Sequence, residues 1–100
     1  MIELNIEIPE KANTVVLVDV IEWVCRAYNL TCTLKGTLAK YPDSVHWHFK
    51  QGKQKGTLEI TWWESTNRLW FKVADGRKGP WIEESLLQIT EEIQKALRSS

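Results

Sequence analysis

The chain is poor in the residues that would declare a chemistry outright. Its two cysteines, Cys25 and Cys32, show neither a CxxC spacing nor a second pair. A disulfide framework or a thiolate zinc site is therefore not expected, and both thiols should be reduced and packed. Charge of one sign is lacking too: 13 basic residues balance 13 acidic ones, for a formal net charge of zero. That balance excludes a wholly basic nucleic-acid module and a disordered acidic tail. No long apolar run exists, because the most apolar stretch, Thr14 to Tyr28, is broken by Asp19, Glu22 and Arg26. It falls short of the ~18 residues that a membrane span needs and belongs to a core instead. The opening residues alternate acidic and apolar side chains, with no basic segment ahead of an apolar run, so no targeting signal is readable. A cytoplasmic chain without membrane contact is expected.

What is present suits one small core. The chain has 100 residues of which 43% are hydrophobic, enough for one domain over 1–100 and hardly for two. Ile2, Leu4, Ile6 and Ile8 alternate with Glu3, Asn5 and Glu7, the period-two pattern of a half-buried strand that Pro9 ends. Asn13 or Thr14 caps an expected helix to about Asn29, with Leu17, Val20, Ile21, Val24 and Tyr28 on one stripe. Val16, Trp23 and Ala27 widen that stripe, which predicts a helix covered on more than one side. Thr31 to Leu38 alternates again, placing Cys32, Leu34 and Leu38 opposite Thr31, Thr33, Lys35 and Thr37, before a turn at Tyr41-Pro42-Asp43. Pro80 to Leu97 repeats at helical spacing through Ile82, Leu86, Ile89, Ile93 and Leu97, with acids early and bases late as the helix dipole favours. Ser99 and Ser100 read as a frayed end.

Between Ser44 and Ala74 three alternating runs are separated by Gln51-Gly-Lys-Gln-Lys-Gly56 and Glu64-Ser-Thr-Asn67, two turn-forming segments. Pairing Lys50 with Thr57 and Trp63 with Arg68 yields the cross-strand rows Val45-Trp62-Leu69, Trp47-Ile60-Phe71 and Phe49-Leu58-Val73. Every position in them is apolar, and a one-residue slip would mix in polar groups. The fold class that follows is α+β, in the order β-α-β-β-β-β-α. Its sheet is mainly antiparallel around the 44–74 meander, with two helices packed on one face. The first strand could pair with the fifth or, through a crossover, with the second. From the first helix onward the order resembles, in topology alone, the double-stranded-RNA-binding domain, although neither that family's histidine-bearing loop nor its lysine-rich helix start is matched here.

Function, where readable, lies on the meander's other face. It receives His48-Glu59-Lys72, His46-Thr61-Trp70 and Trp63-Arg68, a set too aromatic for an ordinary solvated surface. His46, His48, Thr61, Trp63, Arg68 and Trp70 form a candidate platform for a protein partner or a second copy of the chain. The strand directions bring two loops to one end, where Lys53 and Lys55 should meet Arg77 and Lys78. The segment from His46 to Pro80 carries seven basic residues against Glu59, Glu64 and Asp75, and the remainder is acidic by four. Such an edge suits a phosphate backbone, which makes nucleic acid the second candidate partner.

His46 and His48 share one side of a strand, ~6.6 Å apart along it, and Glu59 lies beside them, a third and minor candidate as a metal site. No catalytic residues are read: both cysteines look buried, no nucleophile frame exists, and Gly76 and Gly79 do not make a phosphate loop. The expectation is a small non-catalytic binding domain without cofactor, engaging a protein through its Trp/His face, with nucleic-acid and then metal binding as alternatives.

Overall fold

A computed structural model describes residues 1–10 and 12–99. The elements follow in the expected order: β1 (Ile2–Ile6), α1 (Thr14–Ala27), β2 (Thr31–Gly36), β3 (Val45–Lys50), β4 (Leu58–Trp63), a short 3-10 turn (Glu64–Thr66), β5 (Arg68–Val73) and α2 (Pro80–Arg98). Ser100, half of the end read as frayed, lies outside the described residues, and Ser99 caps α2 through its hydroxyl on the Lys95 carbonyl.

Each helix starts where its sequence supplies a start. Asn13 is extended, and its side chain accepts from the backbone N–H of Val16, one of the groups a helix start leaves unpaired. Gly79 precedes α2, and Pro80 takes the first turn, where a missing N–H costs nothing. Among the described residues no helix is long and apolar enough to cross a membrane.

The five strands form one antiparallel sheet in the order β1-β5-β4-β3-β2. The meander has the expected register, with Val45 opposite Trp62, Trp47 opposite Ile60, Trp62 opposite Leu69, Ile60 opposite Phe71 and Trp63 opposite Arg68. The first strand takes the antiparallel choice, with Ile2 opposite Val73 and Ile6 opposite Leu69. Both helices supply the core that covers the apolar face: Leu17, Ile21, Val24 and Cys25 from α1, and Trp81, Ile82, Ile89, Ile93 and Leu97 from α2, join Trp47, Ile60, Trp62 and Phe71. Removing a side chain of this size from water stabilises by ~1.5–3 kcal/mol, so this layer dominates the fold. Indole N–H groups in it are matched: Trp47 donates to Glu22, Trp62 to the Thr14 hydroxyl and Trp81 to the Lys55 carbonyl.

Three local expectations are corrected. In β2 a bulge lies between Cys32 and Leu34, so that Cys32 is opposite Phe49 but Leu34 is opposite His48 and Lys35 opposite Trp47. One extra residue reverses the alternation, sending Leu34 to the histidine face and Lys35 to the helix side, where it meets Glu22 at 2.7 Å. Cys25 is packed, and burial pushes its thiol up to about 12, whereas Cys32 is exposed on the edge strand. Finally, the residues expected to widen the α1 stripe are not covered: Trp23 is 61% exposed, and Val15 and Val16 are exposed with it. The buried stripe of α1 is Leu17, Ile21, Val24 and Cys25.

Candidate functional site

The face of the sheet away from the helices divides into two halves. In the first, Trp63 and Trp70 are covered by the chain's own β2–β3 loop. Tyr41 stands edge-on to both rings, with centroids 4.9 and 5.0 Å away, and the Trp63 indole donates to the Pro42 carbonyl at 3.0 Å. Arg68 lies over the Trp70 ring at 4.3 Å, donates to Asn5 at 3.2 Å and reaches Glu3 at 3.6 Å. Trp70 is left only 5% exposed. Of the six residues expected to make a platform, these three are thus engaged by partners within the chain.

The second half holds His46, His48, Glu59 and Thr61. Because Trp47 points into the core, its two neighbours must project from the opposite face, and the β3–β4 register sets Thr61 beside His46 and Glu59 beside His48. The side chains converge. His46 Nε2 and His48 Nε2 are 3.1 Å apart, and Glu59 Oε1 is 3.4 Å from the first and 3.7 Å from the second. Among the described residues this is the one trio of histidine, cysteine or acidic side chains close enough to hold a metal ion.

Hydrogen-bonding capacity assigns the protons. Arginine only donates, so Arg77, 3.5 Å from His48 Nδ1, makes that nitrogen an acceptor and puts the His48 proton on Nε2. His48 Nε2 then donates to His46 Nε2, and His46 Nδ1 carries a proton that it donates to the Thr61 hydroxyl at 2.7 Å. His46 therefore already presents a bare Nε2, with its other nitrogen fixed by Thr61, the arrangement that orients a metal-ligating imidazole. Burial is the main cause that lowers the His46 pKa, with help from His48 and Lys72 and against Glu59, so the ring is neutral at neutral pH. A neutral imidazole is the form that binds metals.

Arg77, expected at a basic edge, also lies between Glu59 Oε2, at 3.9 Å, and His48. The two loops do meet as their strand directions require: Thr57 N–H donates to the Arg77 carbonyl at 2.9 Å, and Trp81 to the Lys55 carbonyl. Lys53, Lys55 and Lys78 are exposed on those loops, while the Arg77 guanidinium reaches back to the sheet. Sequence reasoning missed two residues, Tyr41 as a cover and Arg77 as a neighbour of the histidines. Tyr41, in the longest loop beside the open face, carried a readable hint; the direction of the Arg77 side chain carried none.

Comparison with protein-family models, with curated proteins and with solved structures finds no match to this chain.

Proposed function

We propose that this chain is a metal-binding domain that holds a divalent first-row transition ion, with zinc as the reference case, between His46 Nε2, His48 Nε2 and Glu59 Oε1. The observation that carries this reading is the size of the triangle those atoms make. Its edges are 3.1, 3.4 and 3.7 Å. A tetrahedral ion with bonds of about 2.1 Å calls for donor separations of about 3.4 Å. Two imidazoles and a carboxylate suit zinc and its neighbours in the series, and three protein ligands leave one coordination position open.

The residues around the trio fit the role. Thr61 holds the His46 ring, and strands β3 and β4 carry all three ligands, so the ion needs little ordering of the backbone. His48 moves its remaining proton from Nε2 to Nδ1 when it ligates, and the half-exposed Arg77, at 49%, has room to give way. Docking of a protein on the same face has less support, since Tyr41 already lies against the two tryptophans.

The test is a calorimetric titration of chelator-treated protein with zinc and nickel, joined to a histidine-detected NMR titration. Micromolar or tighter binding at one site per chain is expected, with both histidines shifting. His48→Ala and Glu59→Gln should each weaken binding at least ~10-fold. Absence of any histidine shift at millimolar zinc and nickel would overturn the proposal.

A further inference from the structure

Resting on that metal reading, we infer that the loaded site takes a small oxyanion, phosphate or a carboxylate, in the ion's open position, with Arg77 as the anion's second anchor. Three features of the site lead there.

The first is hydrogen-bond polarity. While His48 Nε2 carries the proton, Nδ1 accepts from Arg77 at 3.5 Å. Once Nε2 ligates an ion, Nδ1 holds the proton, and two donors face each other. The guanidinium then loses that partner and retains only a long contact, 3.9 Å, to Glu59 Oε2. An arginine freed in this way keeps a planar fork of donors matched to carboxylate or phosphate oxygens.

The second is charge. As metal ligands the histidines add no charge and a ligating carboxylate adds one negative charge, whereas Arg77 and, opposite Glu59 in the register, Lys72 contribute two positive ones. Glu3, opposite Lys72 from β1, is shared with Arg68. A divalent ion adds two positive charges to a pocket in which the Glu59 and His46 side chains are only 13% and 8% exposed. Positive charge withdrawn from water needs a counter-charge, and an anion bound directly to the ion supplies it where it is most needed.

The third is access. All three ligands rise from the face of the sheet that the helices leave uncovered. Gly36 stands opposite His46 in β2, and a Cβ built there meets nothing within 4 Å. The flank of the site beside Gly36 is therefore not filled by protein atoms, which leaves an approach for a small ligand.

Cobalt(II) separates the two layers of the proposal, because its visible d–d bands report both its arrival and any exchange of its fourth ligand. The cobalt-loaded protein, in a buffer free of coordinating anions, is titrated with inorganic phosphate in one arm and acetate in the other, and Arg77→Gln is carried through both. Cobalt should bind to wild type and to Arg77→Gln within about threefold of each other. At least one anion should then shift the bands of wild type, and its affinity should fall at least ~10-fold in Arg77→Gln. A shift with phosphate alone assigns a phosphate-bearing ligand, and a shift with acetate alone a carboxylate. Cobalt bands that neither anion moves overturn this inference and leave the metal reading standing. Equal anion affinity in wild type and Arg77→Gln removes Arg77 as an anchor. If cobalt gives no bands at all, the metal reading fails first and the oxyanion site falls with it.

Discussion

Trp47 and Glu22 hold each other across the apolar face: the indole N–H donates to Glu22 Oε2 at 2.9 Å, from the residue that separates the two site histidines. Lys35, brought over by the bulge in β2, closes on the same carboxylate oxygen at 2.7 Å. Burial raises the Glu22 pKa, but Lys35 and Trp47 together outweigh it and leave the carboxyl below its ordinary value. Glu22→Ala should cost ~1–3 kcal/mol, read as a lower urea midpoint, because it strands a donor on a fully buried ring. Glu22→Gln, which keeps an acceptor for Trp47, should cost less. A smaller loss in the alanine variant than in the glutamine variant would contradict this account.

The His46 ring predicts the pH response of the metal-free protein. Its pKa is lowered in the folded state by burial first, then by His48 and Lys72, with Glu59 opposing. The unfolded chain, whose histidine titrates near 6.5, therefore binds more protons than the folded one in the window just below that value. Stability should fall as pH drops through about 6.5 and level off once the folded ring is also protonated. Thermal melts from pH 8 to 5 should show this decline in wild type and a shallower one in His46→Gln. Saturating zinc should deepen the decline, since protons then compete with the ion for the same nitrogens.

Gly79 is the point at which the two loops near Arg77 touch. A Cβ there would come within 1.9 Å of the Lys55 carbonyl oxygen and 3.2 Å of the Gly56 Cα, both backbone atoms that cannot swing aside. Gly79→Ala should lower stability by ~1–3 kcal/mol or more through the forced separation of the loops. The melting temperature of a chain this size should drop by roughly 4–8 °C per kcal/mol. If the loops position Arg77, the same variant should weaken anion binding more than metal binding. Gly36→Ala, with nothing within 4 Å of its added carbon, serves as the matched control for stability alone.

Tyr41 closes the tryptophan half of the open face. Its edge-on contacts with Trp63 and Trp70 should make Tyr41→Ala ~1–3 kcal/mol less stable, at the usual worth of two aromatic pairs. The variant should also let acrylamide quench more of the tryptophan emission. Sedimentation of wild type and Tyr41→Ala together decides the protein-docking alternative. A dimer in the variant alone would mark the uncovered rings as a latent interface. A wild-type dimer abolished by Trp70→Ala would favour the interface over the metal site.

Much of the fold was legible in the residues because its information is local. Period-two alternation is carried by neighbouring positions, so the meander's register, its apolar rows and the face bearing His46, His48 and Glu59 all follow from the requirement that one side be dry. The capping residue Asn13 and the Pro80 start are equally local. Four things were not. The bulge near Thr33 reversed Leu34 and Lys35, because one extra residue in an edge strand leaves no mark in an alternation that looked regular. Trp23, read as covered, is in water, since helical spacing says which residues share a stripe but not whether a neighbour reaches it. Tyr41 came to rest on Trp63 and Trp70, and Arg77 came within reach of His48 from 29 positions away, through the paths of two loops. A metal site placed last among the sequence-based alternatives is the leading proposal for the same reason. Strand pairing puts three side chains on one face, but only their rotamers, with His46 held by Thr61, bring three donor atoms to the separations a single ion can bridge.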